Sequence, residues 1–469
     1  MVNQLTIIFR LIEVKDMAIR GIKLKFFKHC IYLVIYSLFR CCQLVFWWLT
    51  GVQSHLKSCR NGENYESSAQ LLKVWFHSSG RIINFSLRHH FMSTHVNFVH
   101  PNYALQKHIT LMTVTDKEAI FSIQGECDDV LNVRKWPFLN VGHPTTAKHL
   151  LIMPISSMIK LGEELGDPKA KVIWIYHTAR CGSTAMSQVF NSLPDVVSIS
   201  EPNCLFSLDM AFKEKYFEKK KGSWITSDEY QQIYKNAVRL LVKPYKRDAN
   251  VFAVRSHGYA SKADLHLIPK LFPQFVGIFM YRNVKEAAIS LTRVSQGIYL
   301  HGDCALAVIK NPILSLLFSN LRPSNLLYCS CSEPRHLEWL FKRENIVKSC
   351  NFINSVIQFA GACFHYKEVV AKGLPVVAVK YEHLQEDKTR LFKILFEHAG
   401  LEMTPERERL IDQALSEDSQ KGTDADKKVM AGVKADITQK MVDEANYFLR
   451  YYRLPNWGED ILLPKTLGY

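Results

Sequence analysis

The sequence predicts an α/β fold built on a parallel sheet covered by helices. Two observations carry this. Four short apolar runs recur from residue 171 onward: Lys171-Val-Ile-Trp-Ile-Tyr176, Val251-Phe-Ala-Val-Arg-Ser256, Phe275 to Arg282 and Leu374 to Glu382. Such runs fit strands buried on both faces, and helical patterns follow several of them. Alternation of strand and helix implies right-handed crossovers. Ligands in such sheets bind beyond the carboxyl ends of the strands, where the unusual polar residues of this chain fall.

The first run leads into His177-Thr-Ala-Arg-Cys-Gly-Ser-Thr184, and AMSQVFNSL follows with helical spacing. The third leads into a helical stretch starting at Val284. The fourth precedes an amphipathic helix expected over residues 388–399, ended by Gly400. Upstream, ITLMTV, AIFSI and LLIMPI read as short strands or packing segments. Residues 53–92 are polar and mixed, as in a stem or peripheral helix. The expected organisation is a basic tail over 1–28, a hydrophobic helix over 29–52, stem and accessory segments over 53–165, and the α/β domain over 166–469.

The chain has 469 residues, 48% of them hydrophobic, so it can bury a large core. Its formal charge is +15, which favours an anionic partner. Residues 1–100 hold 12 Lys and Arg against 4 Asp and Glu, a surplus of 8. No zinc-finger spacing and no basic heptad helix is present, so no nucleic-acid partner is expected. Twelve cysteines show no CxxC pair, and Cys329-Ser-Cys331 is too tight for a zinc half-site, so no metal is expected. Disulfides are open if the domain is lumenal, and residues 295–350 hold four candidates: Cys304, Cys329, Cys331 and Cys350.

Residues 31–50 form an apolar run about 30 Å long as a helix, one bilayer core. Arg40 in its middle costs about 3 kcal/mol of insertion, and the ten Ile, Leu, Val and Phe residues return about 0.3–0.6 each, so insertion is marginally favourable. Arg20, Lys23, Lys25 and Lys28 precede the run, which predicts type II topology with a lumenal bulk. A buried or surface-lying helix is the alternative. Asn84-Phe-Ser86 is one glycosylation triplet.

Arg180-Cys181-Gly182-Ser183-Thr184 lies between strand and helix. A helix N-terminus presents unpaired N–H groups, Gly182 admits close backbone approach, and Arg180, Ser183 and Thr184 add donors, which together make an anion site. No Walker lysine is present, and the third run ends in Tyr-Arg where a magnesium nucleotide site would carry an Asp. An ordinary capped turn is the alternative. In the second motif, Arg282 ends a strand and Ser290 follows eight residues later, so a fork and a hydroxyl can address one phosphate.

Both motifs resemble those of sulfotransferases that use 3′-phosphoadenosine-5′-phosphosulfate (PAPS): the first their 5′-phosphosulfate loop, the second their 3′-phosphate motif. Cys181 departs from the more frequent Ser. The resemblance covers roughly residues 168–455, mainly in motifs, and implies a P-loop NTPase-like sulfotransferase fold. Residues 180–184, Arg282 and Ser290 then hold PAPS, and Arg180 supplies the cation for the leaving oxygen. Ser419-Gln-Lys-Gly-Thr423 resembles the loop that closes over the cofactor, with Lys421 as its cation. Val379 to Leu384 resembles a later strand and turn and is read as structural. Arg255-Ser256-His257 resembles the Lys-Thr-His segment whose His is the base in cytosolic members. Ser200-Glu201-Pro202 resembles an element of bacterial members whose Glu is the base. Glu201 and His257 both stay open as the base. The expected activity is sulfuryl transfer to a hydroxyl, of a carbohydrate or other exported molecule, at a Golgi membrane; a cytoplasmic enzyme and an inactive PAPS-binding membrane protein are the alternatives.

Overall fold

The computed structural model describes residues 17–78, 86–125, 128–218, 224–245, 249–257, 261–298, 351–421, 426, 428 and 433–468. Asn84 and Phe85 of the glycosylation triplet lie outside these residues, as do all four cysteines of the 295–350 segment.

The parallel sheet is present. Its strands are β6 (Lys171–His177), β7 (Val196–Ser200), β8 (Val251–Arg255), β9 (Val276–Tyr281) and β10 (Val376–Lys380), in the order β10-β9-β6-β8-β7. Every pairing is parallel. Four of these strands match the apolar runs. β7 was not expected: VVSIS is five residues with two serines, and only its place beside β8 makes it a strand.

Side chains alternate across the sheet. Ile173 and Ile175 face a core shared with Met186, Val189, Phe190, Leu395 and Phe396, supplied by the helices Ser183–Ser192 and Lys388–His398. Val172, Trp174 and Tyr176 face a larger core formed with the helices Asp228–Leu241, Ser261–Leu271 and Asn351–Ala371. The edge strand β10 is not bare. Leu467 donates to Ala378 O at 2.8 Å and Ala378 donates to Lys465 O at 3.0 Å, so the C-terminal segment covers the edge.

The expected stem is a second sheet. β1 (Ala69–His77), β2 (Phe91–Val99), β3 (Ile109–Val114), β4 (Glu118–Gln124) and β5 (Ala147–Pro154) pair antiparallel in the order β2-β1-β5-β4-β3. Leu111, Val114, Phe121 and Leu151 join the larger core of the parallel sheet. The two sheets therefore share one interior. Ser207 locks the contact by donating to Val114 O at 2.9 Å and accepting from Val114 N at 3.0 Å.

The other face of this sheet receives the N-terminal helix Met17–Leu49. Trp47 is buried among Leu72, Phe91, Ile120 and Leu150. Arg40 turns toward the protein, stacked over Trp47 at 4.4 Å and hydrogen-bonded to Gln43, which donates to Ser93 O at 2.6 Å. Val34, Leu38, Val45, Trp48 and Leu49 face outward. The transmembrane or membrane-associated helix expected over 29–52 falls on a helix that ends at Leu49 and a second one that starts at Val52. Among the described residues no single helix is long and apolar enough to cross a membrane. The stretches Val34–Leu49 and Val52–Arg60 pass only together, bent by 87° at a break. Gly51, at φ 75°, starts the second stretch from a left-handed conformation that glycine adopts without strain.

In the larger core, the Asp264 carboxyl is fully buried and accepts from Tyr234 Oη at 2.5 Å. Burial above all, with Asp209 adding, pushes its pKa up to about 7. An unfolded Asp releases its proton near the ordinary value of about 3.9. The folded state therefore holds the extra proton between these values, and this group's stabilising contribution falls as pH rises through that window. Asp264→Asn is expected to flatten that part of the slope in urea-unfolding free energy measured from pH 4 to pH 8, and to gain on wild type most at the alkaline end.

Candidate active site

The carboxyl end of central strand β6 continues into a tight loop. Ala179 and Arg180 sit at φ 61° and 53°, and Gly182 at φ 80°. Successive left-handed residues turn backbone N–H groups into a concavity that suits an anion. A Cβ on Gly182 would lie 2.7 Å from Tyr381 Cδ2, so both backbone and space require glycine. Thr178 N donates to Met280 O at 3.1 Å and Cys181 Sγ donates to the same oxygen at 3.3 Å, fastening the loop to β9. The Cys181 side chain is thus turned into the core, where burial pushes its thiol pKa up. Its contribution to an anion site is its backbone N–H.

On the β8 and β7 side lies a buried guanidinium. Arg255, 1% exposed, donates through Nη1 to Thr184 Oγ1 at 2.7 Å and Ser183 Oγ at 3.3 Å. Nη2 donates to Ser200 Oγ at 2.6 Å and Pro137 O at 3.0 Å. The Glu201 carboxylate lies 3.3 Å from Nη1. Glu201 holds φ 52°, a strained backbone for a residue with a side chain, costing on the order of 1–3 kcal/mol. Burial pushes the Glu201 pKa up, but Arg255, His257 and His177 together outweigh it and hold the carboxyl below its ordinary value. His257 stacks on Phe206 with centroids 4.6 Å apart, and burial lowers its pKa. Both base candidates are therefore unprotonated at neutral pH.

His177 completes this side. Its Nδ1 accepts from Ala179 N at 3.1 Å, so the proton belongs on Nε2, which lies 2.8 Å from Ser256 O and 3.8 Å from Glu201. Burial, reinforced by Arg255, lowers its pKa to about 4, consistent with a neutral ring.

On the β9 and β10 side, Arg180 Nε donates to Ser290 Oγ at 2.9 Å and Nη1 to Gln420 Oε1 at 2.7 Å. The Arg282 guanidinium lies 4.6 Å above the Tyr381 ring, with Nε 3.8 Å from Glu382. Arg282 Nε is buried without a hydrogen bond. Burial first, then the nearby Arg282 charge, lowers the pKa of Arg180. The two guanidinium charges lie within electrostatic reach of each other and repel, and a phosphate group would relieve that repulsion. Asn283 N donates to Glu382 Oε1 at 3.2 Å, which ties the turn after β9 to that after β10.

The structure thus splits the candidate residues into two groups flanking the β6 loop. Glu201, His257, Ser183 and Thr184 gather around Arg255. Arg180, Arg282 and Ser290 gather on the other side. Arg180 is committed to Ser290 and Gln420, so the cation beside the base candidates is Arg255. Lys421 is exposed at the end of a described stretch; Gly422 and Thr423 lie outside the described residues. Its neighbours Ser419 and Gln420 contact Gln188 and Arg180, which draws this loop toward the β6 loop. Sequence reasoning missed Arg255, His177 and Gln420 as site residues, and took Tyr381 and Glu382 as structural. Arg255 and His177 carried a signal, since each is a polar residue at the carboxyl end of a buried apolar strand.

No family model matches the chain, and no curated protein matches it in sequence. Solved structures do match. Sulfotransferase STF9 from Mycobacterium avium is 10% identical, covering 65% of this chain and 83% of that one, with a TM-score of 0.33. A sulfotransferase domain from the curacin biosynthetic pathway is 11% identical, covering 62% and 100%, with a TM-score of 0.33. A sulfotransferase from Alicyclobacillus acidocaldarius is 13% identical, covering 61% and 93%, with a TM-score of 0.30.

Gly182→Ala is expected to destabilise the fold by on the order of 1–3 kcal/mol in urea unfolding, because it adds a strained φ and a collision with Tyr381.

Proposed function

We propose that this chain transfers a sulfuryl group from PAPS to an acceptor hydroxyl. The observation that carries the reading is a left-handed loop that opens a helix, flanked by Arg180 on Ser290 and by an Arg282 charge within electrostatic reach of Arg180. That arrangement suits a cofactor with a phosphate at each end. Its 3′-phosphate would lie with Arg282, Ser290 and Arg180, with Lys421 as a covering cation. Its 5′-phosphosulfate would lie on the loop N–H groups and the hydroxyls of Ser183 and Thr184. The acceptor oxygen attacks sulfur in line, the bond from sulfur to the bridging oxygen breaks, and 3′,5′-phosphoadenosine (PAP) leaves. Arg255, through Ser183 and Thr184, holds the donors that meet the charge developing on the phosphate side. Glu201 or His257 takes the acceptor proton.

The acceptor is read as a hydroxyl of a carbohydrate or other exported molecule. Support comes from the basic residues before the N-terminal apolar segment, which favour type II placement at a Golgi membrane. The outward Val34, Leu38, Val45, Trp48 and Leu49 give that segment a surface suited to lipid.

Calorimetric titration of the full chain with PAP, without Mg²⁺, is expected to show one site. Arg180→Ala and Arg282→Ala should each weaken it roughly 10- to 100-fold, the worth of a charge-assisted hydrogen bond. No binding by a folded chain would overturn the reading. Turnover of labelled PAPS would separate a working enzyme from a PAP-binding protein.

The base is assigned by the pH profile of kcat/KM. If His257 accepts the proton, the acid limb lies below the ordinary histidine value and moves lower still in Glu201→Gln, which removes the carboxylate that raises it, and His257→Ala lowers activity by roughly 10²–10⁴-fold. If Glu201 accepts it, the acid limb lies in the carboxylate range and persists in His257→Ala.

A further inference from the structure

Away from the β6 loop, two helices of the larger core bring together three side chains that the proposed sulfuryl transfer does not use. His266 comes from the helix Ser261–Leu271, which follows β8. His365 and Glu368 come from the helix Asn351–Ala371, and their spacing of three puts them on one face. Glu368 Oε2 lies 2.9 Å from His365 Nδ1 and 3.8 Å from His266 Nε2. One ligand atom from each of the three lies within 4.8 Å of the others. The two rings meet edge to face with centroids 5.5 Å apart.

We propose that His266, His365 and Glu368 bind a divalent transition metal of the zinc type. Ligand atoms around a tetrahedral zinc, at about 2.0–2.2 Å from the ion, lie roughly 3.3–3.6 Å from one another. The carboxylate already stands near that distance from both rings, so small side-chain rotations close the set. Two imidazoles and one carboxylate suit zinc and its neighbours, whereas calcium and magnesium prefer all-oxygen shells. Glu368 and His266 are half-buried, which leaves water room to complete the coordination. Lys262 and Lys372 lie within electrostatic reach of His266 and oppose a dication, so binding depends on all three ligands.

The ion would clip two helices. One follows the loop that carries His257, and the other follows residues 299–350. The clip therefore braces the scaffold beside the base candidate without entering its chemistry.

The test uses the full chain stripped with a chelator. Zinc is titrated against a chromophoric competitor, and cobalt is added separately for its visible d–d bands. Wild type is expected to bind one zinc more tightly than its adventitious sites and to show the bands of a low-symmetry cobalt site. His266→Ala and Glu368→Gln should each lose that zinc and those bands, weakening it by roughly tenfold or more. Zinc should also raise the thermal midpoint of wild type and not of either variant. Glu368→Gln changes a half-buried group conservatively, and unchanged circular dichroism shows that it folds. Zinc and cobalt behaviour equal in wild type and both variants would overturn the proposal and leave a hydrogen-bonded His–Glu–His cluster. PAP titration of the same variants keeps this result separate from the fate of the sulfotransferase reading.

Discussion

The Arg255 guanidinium organises the centre of this protein. It is an ionised group taken almost wholly out of water, which is tolerable only when its donors are satisfied and a counter-charge is near. The chain supplies a counter-charge and partners for both terminal nitrogens from three places: Ser183 and Thr184 at a helix start, Ser200 and the Glu201 carboxylate at the end of β7, and Pro137 O on the connection between β4 and β5, while Nε is left without a hydrogen bond. Holding one buried charge therefore fixes the β6 loop, Glu201 and the N-terminal sheet relative to one another. It also explains how Glu201 is kept in a left-handed backbone: the Arg255 carbonyl accepts from Glu201 N at 2.9 Å while its guanidinium faces the carboxylate.

The opposite side of the loop is built on the reverse principle. The Arg180 and Arg282 charges lie within electrostatic reach of each other without a close ion pair: Glu382 stands 3.8 Å from Arg282, Arg180 donates to the neutral Ser290 and Gln420, and Asp418 acts on Arg180 only at a distance. Such unbalanced positive charge is held in place by the Tyr381 ring, Ser290 and the 418–421 loop. The same ring presses on Gly182, so the cation site and the phosphate loop share one support. One side of the loop is thus neutralised internally. The other is left positive.

The N-terminal region shows how a local reading and a tertiary one diverge. Arg40 in an apolar helix looks like an obstacle to membrane contact. The helix resolves it by rotation: Arg40 and Gln43 face the antiparallel sheet, and the outward face stays apolar. Trp47 anchors that orientation in the sheet's own small core.

Sequence alone determined the parallel α/β sheet, because strands buried on both faces must be runs of apolar residues, and these need no tertiary context to be seen. It also singled out Arg180, Gly182, Ser183, Thr184, Arg282 and Ser290 as candidates, because an anion-loop pattern and a strand-end fork are local in sequence. Tertiary structure decided what depends on long-range pairing. VVSIS becomes β7 only beside β8, and the mixed stretch over 53–92 yields β1 only through its pairing with β2 and β5. Arg255, which looked like part of a histidine motif, becomes the hub because its partners come from residues 137, 183, 184, 200 and 201. The roles of Tyr381, Glu382 and Gln420, and the meeting of His266 with His365 and Glu368, follow from the same cause. Side chains separated by about a hundred residues or more interact only after crossover connections return the chain to the same end of the sheet, and no local spacing encodes that return.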